Sequence, residues 1–262
     1  TLPFRIMVLK MKELKRSHIH LWFADFTGFD LRLVYEECAE WLNAEETDRM
    51  HCYQSLCQRE HFVLGRILLK LILSNYVDCA PSEFSFNTDK HGKLFLSNQS
   101  SLFFNLSHSH ERLVVAVSRF RDLGVDIELI DEKRATIKIA KRYFSSSEFQ
   151  DLYNLPRSLR VKRFYELWTL KESVLKAYGV GLSEHLSKIK FSFPTPDKLG
   201  MCFVPANRDS TEWQSWQIKT FERYLLALSI KSLDTRIVQI ESQTLQSLDT
   251  IVPEETQIIR SF

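Results

Sequence analysis

At 262 residues, with 44% apolar and 26% charged side chains, the chain is long enough for one large domain or two small ones with proper cores, and its make-up is that of a soluble globular protein. A net charge of +2 gives no sign of a nucleic-acid binder, and no apolar run approaches the roughly eighteen residues that cross a bilayer. The five cysteines (Cys38, Cys52, Cys57, Cys79, Cys202) form no CxxC pair; so odd and scattered a set reads as reduced thiols in a cytoplasm, most of them buried for packing.

The first twenty residues mix Lys10, Lys12, Lys15 and Arg16 with single apolar residues and lack the apolar stretch of a signal peptide, which again points to the cytoplasm. Asn43 to Glu46 is an N-cap residue with Glu at the third helical position, a helix start. Phe62 to Lys70 places large apolar residues at helical spacing. Phe84-Ser85-Phe86 alternates as a strand does, and Gly92 within Asp89 to Lys93 marks a hairpin turn. Leu102 to Leu106 and Leu113 to Val117 read as apolar strands, so Ser107-His108 is expected in a turn that exposes its side chains and amides at a sheet end.

Beyond a join expected near Arg119 to Leu123, the pattern starts again. Gly124-Val125-Asp126-Ile127-Glu128 is a β-type run, Ser145 to Glu148 repeats the cap signature, and Trp168 to Lys176 is a second long helix. Phe62–Lys70 can be laid on Trp168–Lys176, Phe84–Phe86 on Phe191–Phe193, and Arg112–Ser118 on Arg223–Ser229, at offsets of 106, 107 and 111 residues. Order and spacing both hold, which indicates an internal duplication. Each half reads as a strand, a short capped helix, a long helix and then strands. The expected division is residues 1–120, residues 121–232, and an extension over 233–262 with little periodicity, either an arm wrapping the body or a mobile end.

Asp126 and Glu128 are two apart on a strand, so their carboxylates point to one side of the sheet, while Val125 and Ile127 form the buried face. Alone, such a pair is more often a solvated strand face. Glu172 and Lys176 alone make an ordinary i,i+4 ion pair. Together, three carboxylates from a strand and a helix form an oxygen-rich Mg²⁺ site, and Mg²⁺ usually serves phosphate chemistry. No G-x-S-x-G elbow supports a serine hydrolase, and no glycine-rich phosphate loop of Walker or Rossmann type occurs. The histidine spacings do not suit a catalytic zinc site; His18, His20, His51, His61, His91, His110 and His185 are read as surface or cleft residues.

Five stretches in order resemble the 4′-phosphopantetheinyl transferases, specifically the long, surfactin-synthetase-activating (Sfp-like) type. They are Gly92-Lys93, Phe104-Asn105-Leu106-Ser107-His108-Ser109, Gly124 to Glu128, Ile139 to Ser145, and Trp168 through Lys176 with Gly179 and Gly181-Leu182. The resemblance covers roughly Trp41 to Ser229. It implies an α+β fold of two similar, pseudo-symmetric lobes with the active site in the cleft between them. It also implies an enzyme that moves the phosphopantetheine arm of coenzyme A onto a serine of an apo acyl or peptidyl carrier protein, leaving adenosine 3′,5′-bisphosphate.

By the same resemblance, Asp126, Glu128 and Glu172 would hold Mg²⁺, Glu172 would be the general base, and Lys176 would balance pyrophosphate charge. Ser107 and His108 would touch the nucleotide phosphates, the backbone of Gly92, Lys93 and Leu94 would meet adenine, and Arg49 falls at a phosphate-binding position with Arg59 and Arg66 as neighbours. His61 and Glu46 depart from places that are usually or sometimes basic, which implies a weaker or, through His61, pH-dependent grip on the 3′-phosphate. Lys133, Arg134, Lys138, Lys141 and Arg142 form a candidate docking stretch for an acidic carrier, as plausibly a solvated helix face. Fusion of the lobes implies a monomer, with no nucleic-acid or membrane partner. Two other classes compete: a Mg²⁺-dependent nuclease using the same acidic triad, and a non-catalytic binding protein that keeps the fold.

Overall fold

The computed structural model describes residues 11–97, 101–134, 136–179, 186–205, 209–233 and 237–262. Lys10, Gly181, Leu182 and His185, singled out above, lie outside the described residues. The first half runs β1 (His18–Asp25), α1 (Leu31–Cys38), α2 (Ala44–His51), α3 (Leu56–Leu73), β2 (Phe86–Thr88), β3 (Leu94–Leu96), β4 (Phe103–Ser109) and β5 (Arg112–Ser118). The second runs β6 (Asp122–Leu129), α4 (Thr136–Tyr143), α5 (Ser146–Asn154), α6 (Arg157–Tyr178), β7 (Ile189–Thr195), β8 (Lys198–Phe203), β9 (Trp213–Lys219) and β10 (Tyr224–Lys231). Among the described residues each is a strand, three α-helices, a hairpin and two strands, so the two lobes repeat element by element.

The repeat has a clear local origin. Asn43 and Glu46 close a capping box at the start of α2, and Ser145 and Glu148 close one at the start of α5. Each Glu then meets a fully buried lysine from the following long helix: Glu46 Oε2 lies 2.7 Å from Lys70 Nζ, and Glu148 Oε2 lies 2.8 Å from Lys171 Nζ. These pairs set Lys70 against Lys171, not against Lys176 as helical spacing suggested. The late turns of α3 and α6 are buried on nearly every side, so their apolar residues carry no phase from which register can be read.

Three further strands, β11 (Gln239–Leu245), β12 (Ile251–Pro253) and β13 (Gln257–Ser261), belong to the C-terminal extension, which is therefore an arm. The first sheet has the order β12-β11-β1-β5-β4 and the second β6-β10-β9-β13-β8-β7. Strand alternation turns Ile19, Leu21, Phe23, Val114 and Ala116 of the first sheet into one core with Val125, Ile127, Ile218, Leu226 and Leu228 of the second. The opposite faces pack on α3 through Trp22, Ala24, Val115 and Val117, and on α6 through Leu225 and Ala227. The layers are thus helix, sheet, sheet, helix.

At the seam, β4 runs beside β6 and joins it by side chains instead of a backbone ladder. Asn105 Oδ1 accepts the Val125 N–H at 2.8 Å, Ser107 Oγ donates to Asp126 Oδ1 at 2.9 Å, and Ser109 Oγ accepts the Leu129 N–H at 3.1 Å. This corrects the expected turn at Ser107-His108. The strand continues through Ser109, and the reversal falls at His110, whose φ is 52°. The polar alternation of Asn105, Ser107 and Ser109 serves the neighbouring strand. On the other side of β6, a Cβ at Gly124 would stand 2.0 Å from the Ser173 carbonyl oxygen and 2.4 Å from the Ala177 nitrogen, so only glycine lets β6 approach α6 this closely.

Two burial expectations are overturned. Of the cysteines only Cys38 is buried; Cys52, Cys57 and Cys202 are exposed and Cys79 is half-buried. His18 and His20 are not at the surface, because β11 lies along β1 and covers them.

Candidate active site

Helix α6 lies along β6, which brings Glu172 and Lys176 beside Asp126 and Glu128. Asp126 and Glu172 are both buried, at 4% and 5% exposure, although each is a potential anion. Asp126 Oδ1 accepts from Lys176 Nζ at 2.7 Å and from Ser107 Oγ at 2.9 Å, while Oδ2 is buried with no hydrogen-bond partner. Glu172 Oε1 is likewise buried and unpartnered. Glu128 Oε2 accepts from Ser109 Oγ at 3.1 Å, and Arg134 approaches its other oxygen at 4.0 Å.

Burial raises the proton affinity of all three carboxyls, and repulsion from neighbouring carboxylates adds to it at Glu128 and Glu172. Loss of solvent raises the Asp126 pKa against the opposing pull of Lys176. Glu128 is raised by burial and then by the charge of Asp126. Glu172 is pushed up to about 8, first by burial and then by Asp126. Three carboxyls so disposed favour either protons or a cation. Their oxygens are not drawn to one point, however. Among the described residues the group whose ligand atoms lie within 4.8 Å of one another is His18, His20 and Glu241, on the β1–β11 pair of the first sheet.

A cavity of about 400 Å³ opens beside the carboxylates. It is walled by Arg49, Tyr53, Phe62 and Arg66 around α2 and α3, by His91 to Leu94 at the β2–β3 turn, by Leu106 and His108 of β4, and by Glu172, Leu175 and Lys176 of α6. The structure therefore gathers Arg49, Arg66, Gly92, Lys93, Leu94, His108, Glu172 and Lys176 in one cavity. Ser107 stands apart, because strand alternation turns its hydroxyl to Asp126 and Lys176. Gly92, at φ 86°, makes the tight β2–β3 turn that forms one wall. The Lys93 ammonium leaves the cavity and donates to the carbonyls of Leu123 and Ala177, at 3.1 and 3.0 Å, bolting that turn to the second lobe.

The Arg66 guanidinium lies over the rings of Phe62 and Phe86, at 5.1 and 5.8 Å, and burial lowers its pKa while Glu46 raises it. The His108 ring opens onto the cavity, yet the surrounding protein, then His61 and Lys176, lower its pKa, so it is held largely neutral at pH 7. His61 also lines the cavity, its ring tilted by 32° against that of Phe26 at 4.6 Å. Glu46 does not: its carboxylate is occupied by the Asn43 N–H and Lys70, with Arg66 at 3.6 Å, so its departure from a basic residue serves the fold. Arg59 donates to the Tyr53 carbonyl and does not line the cavity.

Sequence reasoning gave Asn105 and Ser109 no role of their own and missed Tyr53; the polar residues alternating along β4 were the available signal. Of the candidate docking stretch, Lys133, Lys138, Lys141 and Arg142 are exposed, but Arg134 turns inward toward Glu128 and over the Trp168 ring at 5.6 Å. The counterpart groove of the second lobe, about 330 Å³, carries Asp151 and Leu167 where the first carries Arg49 and Arg66. These positions follow from the matched Glu46–Lys70 and Glu148–Lys171 pairs.

The family description 4′-phosphopantetheinyl transferase superfamily matches residues 122–229, which include β6 and α6. The 4′-phosphopantetheinyl transferase HetI of Nostoc sp. is 30% identical over 193 residues, covering 72% of this chain and 80% of that protein. Sfp of Bacillus subtilis is 28% identical over 177 residues, covering 64% and 78%. Another 4′-phosphopantetheinyl transferase of Bacillus subtilis is 32% identical over 183 residues, covering 62% and 80%. Nothing in these likenesses supports the nuclease reading. The chain belongs to the 4′-phosphopantetheinyl transferase superfamily, as an enzyme of its long, Sfp-like type.

Proposed function

We propose that the protein moves the phosphopantetheine arm of coenzyme A to a serine hydroxyl of an apo carrier protein, with Mg²⁺ at Asp126, Glu128 and Glu172 and adenosine 3′,5′-bisphosphate as the second product. The observation that carries this reading is a pair of buried carboxylates with unpartnered oxygens, Asp126 behind and Glu172 lining a cavity walled by cations. The donor set suits the ion: Mg²⁺ prefers hard oxygen ligands, and Asp126 Oδ2 and Glu172 Oε1 have no other partner. When bound, Mg²⁺ would offset the charge of the coenzyme A pyrophosphate and polarise it toward attack.

The protein's own groups supply the rest. Arg49, Arg66 and His108 line the space for the nucleotide phosphates, and Gly92 to Leu94 offer backbone groups to adenine. Glu172 takes the proton from the carrier serine as its oxygen bonds to the phosphorus bearing the pantetheine arm. The bond from that phosphorus to the oxygen of the departing bisphosphate breaks, and its electron pair leaves with the bisphosphate. Lys176, already 2.7 Å from Asp126, stabilises the charge that grows on the leaving phosphate.

Lys133, Lys138, Lys141 and Arg142 are exposed around α4 and suit an acidic carrier surface, raising the encounter rate more than the affinity. Free thiols and two fused lobes accord with a monomer working in a reducing cytoplasm. No helix among the described residues is long and apolar enough to cross a membrane. The test is intact mass of apo carriers from fatty acid, polyketide, polyunsaturated-lipid and non-ribosomal peptide systems, incubated with the protein, coenzyme A and Mg²⁺. A carrier heavier by one phosphopantetheine, dependent on both additions, is the expected result. Unchanged mass across all of them, or nucleic-acid cleavage without coenzyme A, defeats the reading.

A further inference from the structure

Strand β1 carries His18 and His20 two residues apart, so both imidazoles project from the same face. The arm strand β11 lies parallel to β1 with Glu241 opposite His20, which brings a carboxylate onto that face. His18 Nδ1 is 2.9 Å from Glu241 Oε1, and His20 Nε2 is 3.6 Å from Glu241 Oε2. Ligands of a tetrahedral zinc ion, each about 2.1 Å from the metal, stand about 3.4 Å apart, and the two distances bracket that spacing. The imidazoles are buried, at 9% and 4% exposure, while the glutamate side chain reaches solvent. A cavity of about 490 Å³ lined by Glu241, Gln243, Lys12 and Asn75 opens beside the carboxylate.

We infer that His18, His20 and Glu241 form a transition-metal site, with Zn²⁺ as the fitting ion, that fastens the C-terminal arm to the first lobe. Two imidazoles and a carboxylate are the donor chemistry that Zn²⁺ takes and Mg²⁺ does not. The His20 ring is already oriented, since its Nδ1 lies 2.8 Å from the Tyr76 hydroxyl, which also receives the Trp22 indole N–H at 2.7 Å. With Nδ1–H directed at Tyr76, the lone pair of Nε2 faces Glu241, the outer-shell arrangement of metal-bound histidines. Three protein ligands leave a position for water from the cavity. The neighbouring cation, Lys12, is engaged by the Gln243 side-chain oxygen and the face of Trp22 and is lowered in pKa by burial, which softens its opposition to a metal. The site lies on the β1–β11 pair, with β5 and β4 between it and the seam that carries Asp126 and Glu128, and does not depend on how coenzyme A binds.

The test uses the full chain stripped with EDTA and titrated with Zn²⁺ alone. Wild type should bind one ion, and Glu241→Gln and His18→Ala should each weaken that binding by about a hundredfold or more, beyond the loss typical of an outer-shell partner. Zinc at a hundred times its dissociation constant should raise Tm by roughly 5 °C or more in wild type and not in the variants. Co²⁺ in place of Zn²⁺ should give visible absorption that Glu241→Gln abolishes. His20 is left unchanged because its ring also holds Tyr76. Equal zinc binding by wild type and both variants places the ion elsewhere and overturns the assignment. Absence of binding overturns it too, and leaves the three residues as a hydrogen-bonded clasp only.

Discussion

Glu172→Gln offers a direct measure of the charge crowding in the active site. Folding raises the Glu172 pKa from the ordinary 4.5 to about 8, through burial first and Asp126 second. The folded state thus holds this proton more tightly than the unfolded state. The associated stability is complete below about pH 4.5 and disappears as pH rises through 8. At about 1.4 kcal/mol per pH unit, wild type forfeits ~1 kcal/mol at pH 5, ~3 at pH 7 and ~5 at pH 9 relative to its fully protonated form. Glutamine has the same shape and no charge, so the variant escapes that loss. Asp126 and Glu128 are also relieved of a negative neighbour, which adds with the same sign. Urea unfolding of the metal-free protein at pH 5, 7 and 9 should show the variant gaining over wild type as pH rises. Mg²⁺ should narrow the gap at pH 9, since a cation favours the ionised glutamate. Parallel stability curves for the two proteins across this range would refute the reasoning.

The remaining predictions concern packing and substrate grip. Gly124→Ala drives a methyl group into the backbone of α6 and should cost about 3 kcal/mol or prevent folding, read as Tm; a wild-type Tm would mean that the strand and helix are not in such close contact. Lys70→Met strands the Glu46 carboxylate in the core and should cost about 3 kcal/mol in chemical denaturation, with Glu46→Gln added to Lys70→Met recovering much of it. An unchanged denaturation midpoint in the single variant would count against that buried pair. Arg66→Ala should raise KM for coenzyme A by about tenfold or more with little change in kcat, because it removes a cavity-lining cation far from the reacting bond. Equal KM values would exclude Arg66 from the nucleotide pocket.

The parts of the fold legible in the sequence were those encoded locally. Asn43–Glu46 and Ser145–Glu148 each close a loop of a few residues, so their capping boxes could be recognised without any tertiary context. Asp126 and Glu128 were readable because strand alternation alone fixes their side. Lys70 and Lys171 were not, since what buries each lysine is a glutamate more than twenty positions away. Glu46 looked like a departure in the phosphate site because its true partner was invisible. His18 and His20 looked superficial because their cover comes from β11, at the other end of the chain. Ser107 was assigned to a turn because its role depends on a strand from the other lobe.

The uneven inheritance of the two lobes has a consequence for how this fold can vary. The first copy keeps Arg49 and Arg66, and on the helix-facing side of its leading strand carries only Trp22 and Ala24 where β6 carries Asp126 and Glu128. The second copy carries the acids and has Asp151 and Leu167 at the positions of the two arginines. Each lobe carries what the other lacks. Neither lobe holds the full set of groups, and no one substitution supplies it, so the cleft needs both.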